Sequence, residues 1–150
     1  MTAITLPVGT KTNLTTTALN SLASATYVSA GAIDASSADP QDIIIEVEAT
    51  PGTVSGNKRL KVFLQESLDN SAFSTGPVSG TTVTDEPVLY PIGVLPLAVN
   101  ATLQRKAFSV AAALGWVPPY ANIIVQNDSG AALAASGNAV NYAFVTGLST

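Results

Sequence analysis

Apolar and polar positions alternate with period two along much of this chain, and the clearest run is 42–49. There Ile43, Ile45, Val47 and Ala49 face one way and Asp42, Ile44, Glu46 and Glu48 the other, the pattern of a strand with one buried face. A second run, 58–66, sets Leu60, Val62 and Leu64 inward and Arg59, Lys61 and Gln65 outward beside Phe63. The glycine-containing turn between the two runs and their opposite outer charges predict a hairpin. In it Glu46 and Glu48 pair with Arg59 and Lys61, at roughly 0.2–1 kcal/mol per pair. Residues 27–33 alternate Tyr27, Ser29, Gly31 and Ile33 against Val28, Ala30 and Ala32 and predict another strand. In 105–114, Phe108, Val110 and Ala112 share a face, predicting an inner strand, with Trp116 beyond it as a plug in the core.

The last two runs are 120–127 and 138–145. In the first, Ile123 and Val125 share a face and Ile124 sits among polar residues on the other; in the second, Val140, Tyr142 and Phe144 alternate with Asn141 and Ala143. Weaker signals predict a short strand at 81–84 and an edge or bulged strand at 87–95, where Pro91 and Gly93 interrupt the pattern. Asp39-Pro40, Thr50-Pro51-Gly52 and Asp128-Ser129-Gly130 are turn chemistry, and 131–135 is the one place for a helical turn. Residues 1–26 are low in complexity. Leu14, Ala18, Leu19 and Leu22 fall near helical spacing, but the β-branched run Thr15-Thr16-Thr17 disfavours a helix. The segment reads as an extended arm that must lie on its own domain or on a neighbour, because alone it cannot offset its ordering entropy. Seven or eight short strands separated by turns predict an all-β chain: an arm over 1–26 and a single-domain, jelly-roll-like β-sandwich over 27–150.

Composition narrows the chemistry. The chain has 150 residues, long enough to bury about 68–70% of its unfolded surface without a staple. It has neither cysteine nor histidine, which removes imidazole bases and the triads built on them. With a net charge of −4 and six basic residues, it offers little to a phosphate backbone, so nucleic acid is not an expected partner. Lys58, Arg59 and Lys61, like Arg105 and Lys106, read as solvated strand ends. The first residues lack the basic start and apolar run of a signal peptide, and the uncharged stretches are too diluted by proline, asparagine and glutamine to span a membrane. Asp85 and Glu86 would diverge on a strand; Glu46 and Glu48 share a face but have basic partners, so neither pair builds a hydrolase cleft. Asp34, Asp39 and Asp42, or Asn127 with Asp128, are loop groups without the spacing of a dedicated calcium site. No catalytic residue, metal site or cofactor is expected, and the chain does not read as an enzyme.

The distribution of charge then turns attention to the surface. Residues 34–106 hold 14 of the 16 charged side chains, and Asp128 is the only one after Lys106. Interface cores are depleted in charge in this way, so both terminal portions are expected to be covered by other subunits; a neutral surface of small residues is the alternative. The interface residues expected on this basis are Leu6, Leu14 and Leu19 in the arm and Asn122, Ile124, Gln126 and Asn141 on the last strands.

Three stretches carry a resemblance. They are the strand Tyr27-Val-Ser-Ala-Gly-Ala-Ile-Asp, the run Lys58-Arg-Leu-Lys-Val-Phe-Leu-Gln-Glu-Ser-Leu-Asp-Asn-Ser-Ala-Phe, and the ending Pro119-Tyr-Ala-Asn-Ile-Ile-Val-Gln-Asn-Asp-Ser-Gly-Ala-Ala-Leu-Ala-Ala-Ser-Gly-Asn. Over residues 27–142 the chain resembles small β-sandwich structural proteins of tailed-bacteriophage virions, of the capsid cement or decoration kind. The resemblance implies a jelly-roll-like domain, often a homotrimer, bound outside the phage head where major capsid proteins meet. It implies synthesis in the host cytoplasm and no catalytic residues. The competing reading is a fibre or spike module that binds a host-surface glycan through exposed aromatics, with Tyr90, Trp116 and Tyr120 as its candidates.

Overall fold

A computed structural model describes residues 4–149. Its strands are β1 (Ile4–Thr5), β2 (Thr12–Thr15), β3 (Tyr27–Asp34), β4 (Asp42–Ala49), β5 (Arg59–Ser67), β6 (Ser79–Gly80), β7 (Tyr90–Pro96), β8 (Gln104–Ser109), β9 (Tyr120–Asp128), β10 (Ala139–Val145) and β11 (Leu148–Ser149). They form a four-stranded sheet in the order β2-β10-β4-β8, a five-stranded sheet in the order β6-β3-β9-β5-β7, and the small pair β1-β11. All pairings are antiparallel. With the two-residue β6 set aside, the eight strands from β2 to β10 pass from one facing sheet to the other at every step but β5 to β7, which pair as neighbours, the jelly-roll arrangement.

The alternation read from the sequence positions this core. Ile43, Ile45, Val47 and Ala49 of β4 are fully buried, and Leu60, Val62 and Leu64 of β5 meet them from the other sheet. Ile123, Val125 and Val140 join the same cluster. The expected β4–β5 hairpin is therefore wrong: β4 pairs with β10 and β8, and β5 pairs with β9 and β7. Two strands that each bury one face satisfy the same pattern side by side or face to face. Here residues 50–58 cross the gap of about 10 Å between packed sheets.

The stretch 104–114 also differs from expectation. Strand β8 is an edge, not an inner strand, and the chain then turns into α1 (Val110–Leu114). The Ala111-Ala112-Ala113 run favours helix. Ser109 caps it by accepting from the Ala112 N–H at 2.9 Å, and the Asp42 carboxylate accepts from the Ala111 N–H at 2.8 Å and from the Ser109 hydroxyl at 2.6 Å. Gly115, at φ 81°, ends it in the left-handed region. Trp116 follows at 39% exposure and does not plug the core. Residues 131–135 form no helical turn, and 81–84 form no strand; Ser79–Gly80 is the short strand there.

The N-terminal segment is part of the sandwich. Ile4 pairs with Ser149, Val8 with Val145, Thr12 with Tyr142 and Thr15 with Val140, so residues 4–15 run antiparallel beside the C-terminal strands. Leu19 and Leu22, which follow a turn, belong to the main core. Gly93 shows how tightly the sheets close: a Cβ there would fall 2.2 Å from the Phe108 ring, which reaches across from β8.

Candidate interaction surfaces

The residues expected at an interface do not form one surface. Asn122, Ile124 and Gln126 project from the outer face of β9, the central strand of one sheet, whereas Asn141 projects from the outer face of β10 in the other. Leu19 is 1% exposed, and Ile124 is fully buried with Tyr27, Phe63 and Leu89. Gln126 and Asn141 are also buried. Asn122, half-buried, accepts from the Ser29 hydroxyl at 2.7 Å and donates to Gln65 at 2.8 Å. Leu14 is half-buried against the core, and Leu6 alone of the set is exposed, at 57%.

The neutrality of the C-terminal portion has a source within the chain. Strands β9 and β10 each have a neighbour on both sides, and most of their residues are buried. Burial within the chain itself accounts for missing charge there, because a buried strand excludes it. Asn127 illustrates how polar groups are accommodated instead. Fully buried, it donates to the Leu22 and Ala131 carbonyls, each at 2.8 Å, and accepts from the Ser129 N–H at 3.1 Å. The Gln126 Oε1 atom is the exception, a buried acceptor with no protein partner among the described residues.

What covers Ile124 is the excursion 68–89 between β5 and β7. Leu89 seats on Tyr27 and Phe63, while Gln65 donates to the Ser74 carbonyl at 2.7 Å. Glu86, in a 3₁₀ turn at Glu86–Val88, accepts from the Tyr27 hydroxyl and from Lys61 at 3.3 Å. The excursion presents its own apolar side chains outward. Leu68 is 76% exposed and Val83 61%; Val78 and Val88 are exposed too, as are Tyr90 and Val94 of the edge strand β7. Further exposed apolar residues are Val8, Val99 and Leu103. These exposed side chains are the candidate contact residues, and valines in a loop carry no periodic signal that would mark them in the sequence.

The charged groups are largely occupied within the chain. Arg59 bonds Asp128 at 2.8 Å. Burial pushes the Asp128 carboxyl up, but hydrogen bonds from Asn57 and Arg59 outweigh it and hold it below its ordinary value. Lys11 reaches across β10 to Glu46 and, at 2.7 Å, to Glu48. The Lys11 bond lowers the Glu48 pKa, and the two carboxylates, Glu46 foremost, raise that of Lys11. The expected pairs Glu46 and Glu48 with Arg59 and Lys61 do not form. Asp69 sits well below the usual carboxylate range because the Ala72 and Ser71 N–H groups bond it. Asp34 bonds the Ser36 N–H and hydroxyl, and Asp42 caps α1, so neither of those two weighed calcium ligands is a free loop group. No three metal-ligating side chains gather among the described residues.

No protein-family model matches the chain, and no curated protein matches it either.

Proposed function

We propose that this protein is a non-enzymatic virion structural protein: a capsid cement or decoration protein that binds the outside of a tailed-phage head and stabilises the shell by bridging major capsid proteins. The observation that carries the reading is the exposed aliphatic set on the excursion and β7, Leu68, Val78, Val83, Val88 and Val94. Several exposed apolar side chains on a small domain fit a protein contact surface. The sequence resemblance to phage cement proteins supplies the partner class, and a homotrimer as the form in which it binds. A cement protein acts by linkage: it binds assembled shell better than free subunits, so its binding energy adds to shell stability, and a trimer multiplies modest contacts.

The test is to locate the protein in purified particles and count its copies. Copies in fixed proportion to the major capsid protein, and heads that lose heat resistance without it, support cement. A handful of copies at the tail overturns it. The exposure of Trp116 and Tyr90, each 39%, favours one second reading, a fibre or spike module for a host glycan. Selective binding of the isolated protein on a glycan array, lost in Trp116→Ala, would decide for that reading.

A further inference from the structure

On the outer face of the four-stranded sheet, a nucleophile and an electrophile meet on one carboxylate. Lys11 Nζ donates to Glu48 Oε1 at 2.7 Å, and Asn141 Nδ2 donates to the same oxygen at 3.2 Å. The amine and the amide nitrogen are thus no farther apart than the sum of those two distances. Asn141 is 4% exposed. Its carbonyl oxygen Oδ1 accepts from Asn13 Nδ2 at 2.9 Å, so a donor already sits where negative charge would develop on attack. Lys11 and Asn13 lie on the N-terminal segment, Asn141 lies on β10 beside it, and Glu48 lies on β4 beyond. The lysine stem borders a groove lined by Val8, Ile44, Ala107 and Ala143.

We propose that Lys11 and Asn141 form an intramolecular isopeptide bond, with Glu48 as the proton relay and Asn13 as the oxyanion donor. Glu48 first takes a proton from the Lys11 ammonium, which is the form the paired carboxylates favour at rest. The free amine attacks Asn141 Cγ, forming the new C–N bond and placing charge on Oδ1. Glu48 then delivers its proton to Nδ2 and takes one from the attacking nitrogen, and the Cγ–Nδ2 bond breaks. Ammonia leaves and accepts the remaining proton, so the products are a neutral amide, an ammonium ion and the Glu48 carboxylate. No oxidant or outside reactant is needed. Fixed proximity is what makes amide aminolysis feasible at such a site, with general acid–base relay adding to it. Glu46, on the same lysine, and Arg105, whose guanidinium lies 4.0 Å from the other Glu48 oxygen, are the charged groups that set the field around the relay. The bond would tie Lys11, the residue that leads into β2, to β10.

Intact-mass spectrometry of the purified full chain reads the outcome directly. The expected mass is that of the sequence less one ammonia, after allowance for initiator methionine removal, and digestion should yield a peptide pair joined through Lys11 and Asn141. Lys11→Arg keeps the cation but cannot form the amide, so it should show the full mass; Glu48→Gln should slow or abolish the loss. Wild-type protein at full mass after prolonged incubation at neutral pH overturns the proposal. So does an ammonia deficit that persists in Lys11→Arg, which would mark cyclisation elsewhere.

Discussion

Single polar groups hold this sandwich at its rims. Asp128 at the end of β9 takes Arg59 and Asn57, and Glu48 takes Lys11 and Asn141. Both carboxyls titrate below their ordinary values, so the folded chain binds fewer protons than the unfolded one just below the usual carboxylate range. Their stabilisation is complete above the unfolded pKa, near 4, and is lost as pH falls through the depressed folded values. Urea midpoints should therefore hold steady from neutral pH to about 5 and fall below about 4. Asp128→Asn should cost about 1 kcal/mol at neutral pH, allowing for its partial exposure, and make the acid loss shallower. An unchanged acid limb in that variant would show that Asp128 is not a source of the pH dependence. These partners were only partly legible: the charges of Glu46, Glu48, Arg59 and Lys61 were visible in the strands, but which strand would lie opposite was not.

At the scale of elements, the N-terminal segment joins two kinds of contact. Residues 4–15 extend the sheet by running along the C-terminal strands, while Leu19 inserts into the core. Leu19→Ala should cost about 2–5 kcal/mol, as for other buried leucines. Leu6→Ala, at an exposed site, should change stability by no more than about 0.5 kcal/mol. Thermal or urea unfolding of the two variants checks this, and equal effects would mean that Leu19 is not a core residue. The arm's place was hard to foresee because Leu14, Ala18, Leu19 and Leu22 fall near helical spacing, whereas the segment is a strand followed by a turn. A turn held by Thr15, whose hydroxyl accepts from the Thr17 and Ala18 N–H groups, carries the chain from the edge strand into the core. The short helix α1 was legible in principle from Ser109, the alanine run and Gly115, but the two-residue alternation of Phe108, Val110 and Ala112 masked it.

Across the whole molecule, the connection between first and last strands sets how the fold is completed. Strand β10 lies between β2 and β4, so the four-stranded sheet cannot close until the end of the chain arrives. Ending the chain after Gly137 should abolish cooperative unfolding and leave an aggregation-prone product, since it bares two strand edges and the core beneath them. A cooperative transition in that truncated protein would overturn this account of the sheet. The sequence by itself determined the all-β class, the inward residues of β4, β5, β9 and β10, and the absence of histidine and cysteine chemistry, because alternation and composition are local properties. Tertiary structure alone decided that β4 and β5 face each other across the core and that the neutral C-terminal strands β9 and β10 are internal to their sheets. It alone brought Lys11, Asn141 and Glu48 together. Period-two patterning fixes which side of a strand is buried, but the identity of its neighbours depends on how the whole chain shares one core.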